Sequence, residues 1–231
     1  MAICTQNHVF IVTYGRSGST VLQRILQSID GYFIRGENNN TLFPLFLAYR
    51  RAFEARHGHG NSDHHASDPW YGANNIDPET FAQNLVELFV RDIVQPPTSA
   101  RVVGFKEIRF HEAGEDLFEP YLDFIAANFP ASKFIFNMRR WQDVAKSSWW
   151  ATMDPSRVRA IIEDADKMYT NYAAKHPETS LVMQYESFVG NPDAFAPLFA
   201  FLGEPYKPDD VAELLGDRLL HARNVGQEKD G

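Results

Sequence analysis

His8-Val-Phe-Ile-Val-Thr-Tyr-Gly-Arg-Ser-Gly-Ser-Thr20 is the stretch that decides the fold class. The apolar run from His8 to Thr13 is too short for a helix and ends on a Gly/Ser loop, so it reads as a buried strand. Beyond the loop, Val21, Leu22, Ile25, Leu26 and Ile29 recur at helical spacing, which predicts a helix over 20–29. Strand, glycine loop and helix together form an anion cradle, because successive N–H groups turn inward and the helix dipole presents its positive end. Gly15 and Gly18 permit the tight path, and Arg16, Ser17, Ser19 and Thr20 add donors. The same residues also fit a plain turn in which Ser19 or Thr20 caps the helix.

Outward from this unit, strands and helices alternate. Strands are expected near 32–34, 101–105, 133–137 and 180–184, and helices over 42–55, along the stripe 117–129 and along 158–172. That alternation predicts a three-layer α/β/α domain with a central, mostly parallel sheet. The chain, 1–231, reads as one domain interrupted by an insertion at about 57–80. The insertion carries His57, His59, His64 and His65 without the fixed spacing of a metal site, and reads as an exposed loop or an acceptor-binding lid. The polar tail from His221 to Gly231 reads as disordered.

Composition narrows the function. The net charge of −8 excludes the positive overall field of a general nucleic-acid binder, so an anionic ligand must be held by local Arg clusters and amides. One cysteine, Cys4, leaves no internal disulfide and too few thiolates for a Cys-based zinc site. No apolar run approaches the ~18 residues of a membrane span. The run at 8–13 is also too short for a signal peptide, so a cytoplasmic location is expected.

A nucleotide hydrolase is the first activity to test. Aligning Gly18-Ser19-Thr20 with the end of a Walker motif places Ser19 where its Lys belongs and Thr13 where its first Gly belongs. Without that Lys, γ-phosphoryl activation lacks its usual cation. A second strand-loop-helix unit follows at Lys133-Phe-Ile-Phe-Asn-Met-Arg139, with Ser147 eight residues beyond Arg139 and expected inside the helix. A guanidinium and a hydroxyl are thereby placed near the carboxyl edge of the sheet, where open α/β folds bind ligands. Two anion sites on one edge suit a ligand phosphorylated at two positions.

These stretches resemble the sulfotransferases that use 3′-phosphoadenosine 5′-phosphosulfate. Arg16-Ser-Gly-Ser-Thr20 matches their R-S-G-[ST]-[ST] loop, and Arg139, Asp143 and Ser147 match R-x-P-x-D-x-x-x-S, with Trp141 in place of the Pro. Gln184-Tyr-Glu-Ser-Phe-Val-Gly-Asn-Pro192 and Leu198-Phe-Ala-Phe-Leu-Gly203 look like the family's later segments. Gly36-Glu37 is similar to the G-E of the tyrosylprotein and bacterial branches. The resemblance implies a fold like that of P-loop nucleotide hydrolases. It implies Gly15, Arg16, Ser17, Gly18, Ser19, Thr20, Val21, Arg139, Ser147 and Tyr185 as cofactor-binding residues, with Tyr185 beside the adenine.

The resemblance also implies the chemistry: in-line transfer of a sulfuryl group to an acceptor hydroxyl, releasing adenosine 3′,5′-bisphosphate. Glu37 would be the general base, with Arg16 and Lys106 stabilising the charge on the leaving oxygen and no metal required. Lys106 also reads as a surface ammonium paired with Glu107 or Glu112, and His111 is the reserve base. His8 begins a strand and belongs to the opposite edge. A saccharide or glycolipid is the expected acceptor. A small-molecule kinase or other nucleotide-binding protein is the alternative, with a non-catalytic interaction module third.

Overall fold

A computed structural model describes residues 6–216. Five strands form one sheet: β1 (Asn7–Val12), β2 (Tyr32–Arg35), β3 (Val102–Glu107), β4 (Ser132–Met138) and β5 (Ser180–Gln184). Every strand pair is parallel, and the order is β2-β3-β1-β4-β5. Helices cover both faces, giving the three-layer α/β/α arrangement. The reason lies in the strands themselves. In β1, Phe10 and Val12 point to one face while Val9 and Ile11 point to the other, and all four are buried. A strand apolar on both sides needs a helical layer on each.

On the first face pack α2 (Leu42–His59), α3 (Pro78–Phe89), α4 (Glu115–Asn128) and α6 (Pro155–Lys175). Their contribution is strongly aromatic: Phe46, Phe89, Phe118, Tyr121 and Tyr169 are fully buried against Phe105, Phe134 and Phe136. Each such ring contributes about 1.5–3 kcal/mol relative to an exposed one. The second face carries α1 (Ser19–Gln27), α8 (Ala196–Leu202) and a helix over 208–216. The connection after β1 therefore leaves toward one face, and the connection after β4, through α5 (Trp141–Ala145) to α6, leaves toward the other. Chains that part in this way open a crevice between the carboxyl ends of β1 and β4, the usual ligand position in such sheets.

Two expectations are corrected. The insertion is less of a loop than its composition suggests, since α2 runs on to His59 and α3 begins at Pro78. Asp77 caps α3 by accepting from Thr80 N at 3.0 Å, with Pro78 in the first turn, and a π-helical turn, Val90–Val94, extends it. Ser147 lies beyond a helix rather than within it, because α5 stops at Ala145 and the chain is extended at Ser147. The readings of Cys4 and of the tail from His221 lie outside the described residues. Among the described residues, no helix is long and apolar enough to cross a membrane.

Candidate active site

The crevice holds a cavity of about 460 Å³. Its floor is the loop after β1. Gly15, Arg16, Gly18, Ser19, Thr20 and Val21 all line it. Gly18 precedes α1 with φ +80°, and α1 has no side-chain cap, so the capping turn is not what forms and Ser19 N and Thr20 N have no side-chain acceptor in the helix. Arg16 also has positive φ, +68°. Ser17 is the exception in this set. Its side chain is fully buried beneath the loop, 2.7 Å from Thr13 Oγ1, and its carbonyl accepts from Asn137 Nδ2 at 3.0 Å. Ser17 thus braces the cradle from below.

The second unit closes against the first. Arg139 lines the cavity and donates from Nη1 to the Arg16 carbonyl at 2.9 Å, while Arg16 Nε donates to Ser147 Oγ at 2.8 Å. Arg139 Nε is buried without a hydrogen-bond partner, an orphan donor of the kind an anionic oxygen satisfies. The Arg139 guanidinium lies 4.4 Å from the centre of the Tyr185 ring. Tyr185 begins α7 (Tyr185–Phe188) and packs so closely on the loop that a Cβ at Gly18 would stand 2.2 Å from its ring. Ser147 and Tyr185 therefore support the cavity from just outside its lining.

Glu37 and Lys106 meet at the cavity's β2–β3 end. Lys106 Nζ donates to Glu37 Oε1 at 2.6 Å, with the Lys side chain 8% exposed and the Glu side chain 43% exposed. The pairing of Lys106 with Glu107 or Glu112 is corrected. Glu112 takes Arg109, and Glu107 is fully buried beneath the loop that carries Glu37. Its carboxylate accepts from Asn38 N (3.0 Å), Asn40 N (2.8 Å) and Ile108 N (2.8 Å), and so fixes the backbone just after Glu37. His111 lines a different cavity with Glu115, Asp164 and Lys167, and burial lowers its pKa. His8 is buried at the start of β1 against the Pro130 carbonyl.

Several residues here escaped the sequence reading. Trp149 lines the cavity with its ring against Gly15, where a Cβ would come within 2.3 Å, and Trp150 Nε1 donates to the Gly15 carbonyl at 3.0 Å. Both lie just past Ser147, where the recognised pattern stops. Arg24 also lines the cavity, on α1 one turn beyond Thr20, its guanidinium making neither a hydrogen bond nor an ion pair among the described residues. The i, i+4 step from Thr20 was its signal. Leu214 and Leu215 add an apolar part to the lining and pack against the core that α1 also faces. Among the described residues, no group of three or more His, Cys, Asp or Glu side chains is arranged to hold a metal.

The family model described as "Sulfotransferase family" matches residues 8–208. Among solved structures, the chain is similar to the sulfotransferase STF9 from Mycobacterium avium at 12% identity, with a TM-score of 0.46, covering 94% of this chain and 68% of that one. No curated protein matches the sequence.

Proposed function

The chain belongs to the sulfotransferase family, and from that premise we propose that it transfers a sulfuryl group from 3′-phosphoadenosine 5′-phosphosulfate to an acceptor hydroxyl, on a saccharide or glycolipid. The observation that carries this reading is the convergence, in one cavity, of the N–H loop, the orphaned Arg139 donor and the Glu37–Lys106 pair. The donor molecule supplies the sulfuryl group; the protein supplies position and charge.

The loop amides and Arg16 face the 5′ end of the donor, and Arg139 with Ser147 holds the 3′-phosphate. Tyr185 stands beside the adenine. Glu37 takes the proton from the acceptor oxygen as it attacks, and its pairing with Lys106 aims the carboxylate. Lys106 and Arg16 are also the cations that offset charge growing on the leaving oxygen. The test is transfer of labelled sulfate from the donor across saccharide, glycolipid, phenol and peptide acceptors. Label on a sugar hydroxyl supports the full reading. Label confined to phenols or tyrosines would replace the acceptor class, and no transfer to any hydroxyl would remove the activity.

A further inference from the structure

Behind Arg139 lies a polar cluster that the proposed chemistry does not use. Tyr14 is fully buried, yet its hydroxyl meets three polar atoms. It accepts from Arg139 N at 2.7 Å, and it lies 2.9 Å from Arg139 O and 3.0 Å from Asp166 Oδ1. A phenol has one hydrogen to give, so it cannot donate to the carbonyl and the carboxyl at once. We propose that Tyr14 and Asp166 are positioning residues for Arg139, and that the proton on Asp166 decides how firmly the Arg139 backbone is held and how tightly a phosphate binds there. This inference rests on the reading of Arg139 as the 3′-phosphate site.

The two protonation states differ in their hydrogen bonds. An ionised Asp166 draws the Tyr14 hydrogen, since charge-assisted bonds are the stronger ones, and the Arg139 carbonyl loses its donor. A protonated Asp166 donates to the Tyr14 oxygen instead. The Tyr14 hydrogen then turns to the Arg139 carbonyl, so that both the N–H and the C=O of Arg139 are held. Neutralising Asp166 also removes a negative charge from the neighbourhood of an incoming phosphate. Both effects tighten binding on the acid side.

The surroundings of Asp166 place this change within the working range. Its pKa is pushed up to about 7, chiefly by burial, with the Tyr14 hydrogen bond opposing the rise and the charges of Glu186 and Glu163 adding to it. Tyr169 of the same helix faces the cluster too, with its hydroxyl on the Thr13 carbonyl at 3.0 Å. Glu186, from α7, accepts from Arg140 N at 3.0 Å and anchors the adjoining residue. Neighbouring charges on α5 and α4 are engaged elsewhere, Asp143 with Lys146 at 3.9 Å and Glu115 with Lys167 at 3.0 Å.

The experiment is calorimetric titration with adenosine 3′,5′-bisphosphate from pH 6 to pH 8, for the wild type and for Asp166→Asn. Ionisation of the ligand is common to both proteins, so the difference between the two profiles isolates Asp166. The wild type should lose about three- to tenfold more affinity than the variant over this range, the size of an unscreened charge effect at short distance in a polar surrounding. With adenosine 5′-monophosphate, which lacks the 3′-phosphate, the two profiles should run parallel. Tyr14→Phe should bind the bisphosphate more weakly and keep only the part of the pH dependence that comes from the Asp166 charge. Parallel profiles with the bisphosphate overturn the inference, as does an equal difference with the monophosphate. If the wild type binds no bisphosphate at any pH, the cofactor reading falls and the inference with it.

Discussion

Glu37 enters the cavity from a loop, so its usefulness as a base depends on what fixes that loop. Glu107 does so from beneath, through the amides of residues 38 and 40, while Lys106 orients the carboxylate itself. Glu37→Gln keeps the shape and removes the base. The expected result is a fall in kcat of about 10²–10⁴ at saturating donor and acceptor, with unchanged affinity for the bisphosphate. An acidic phenol acceptor should lose less than an alkyl hydroxyl, because it needs less help to shed its proton. Asp166 yields a second expectation, on stability. Its folded pKa of about 7 lies above the ordinary carboxylate value of 3.8, so its contribution is fully present below the unfolded pKa and is lost as pH rises through 7. Asp166→Asn removes that dependence and keeps an acceptor for Tyr14. Urea unfolding should show the variant gaining on the wild type from pH 5 to pH 8 and levelling above. The gain should be on the order of 1–2 kcal/mol after allowance for solvent screening.

At the scale of elements, the strands were the most legible part of the sequence, because the three central ones are buried on both faces and all five read as short, largely apolar runs. Helix α3 was missed for the opposite reason. Its capping signal, Asp77-Pro78 followed by Thr80, sits at the end of a polar, His-rich stretch whose composition dominates the reading. The loop residues and Glu37 were recognised from local patterns. The roles of Glu107, Arg24 and Trp149 were not, since each depends on which segments the sheet brings together. Gly18 was legible as a residue type, but half its reason is tertiary: the Tyr185 ring, from 167 residues along the chain, leaves no room for a Cβ. Gly18→Ala therefore meets two penalties, a left-handed backbone and a displaced aromatic. The left-handed conformation alone costs about 1–2 kcal/mol. Because the displaced ring also lies under Arg139, affinity for the bisphosphate should fall together with the unfolding midpoint. A variant that loses stability but retains full affinity would show that Tyr185 has no part in holding the ligand.

For the molecule as a whole, net charge and local charge point in opposite directions. The chain carries −8, yet the cavity is lined by Arg16, Arg24, Lys106 and Arg139 against one carboxylate, Glu37. Low-dielectric walls concentrate such a field, so a polyanion is drawn to this one place on an otherwise acidic surface. The segments it would bridge come from four regions of the chain: the loop after β1, α1, the end of β3 and the turn after β4. A ligand that binds only the folded arrangement stabilises it by mass action, by about 2.7 kcal/mol at a hundredfold excess over Kd. In a chain of this length that corresponds to a rise in Tm of roughly 5–10 °C. Adenosine 3′,5′-bisphosphate should produce this rise without added metal, and ATP with Mg²⁺ should produce less, because the Walker lysine position is Ser19 and the Arg139 site is left without a 3′-phosphate. Since three of these four cations, Arg16, Arg24 and Arg139, are exposed or half-buried, raising the salt should diminish the shift. A larger shift with ATP and Mg²⁺ than with the bisphosphate would favour a nucleotide-hydrolysing or kinase activity for this cavity.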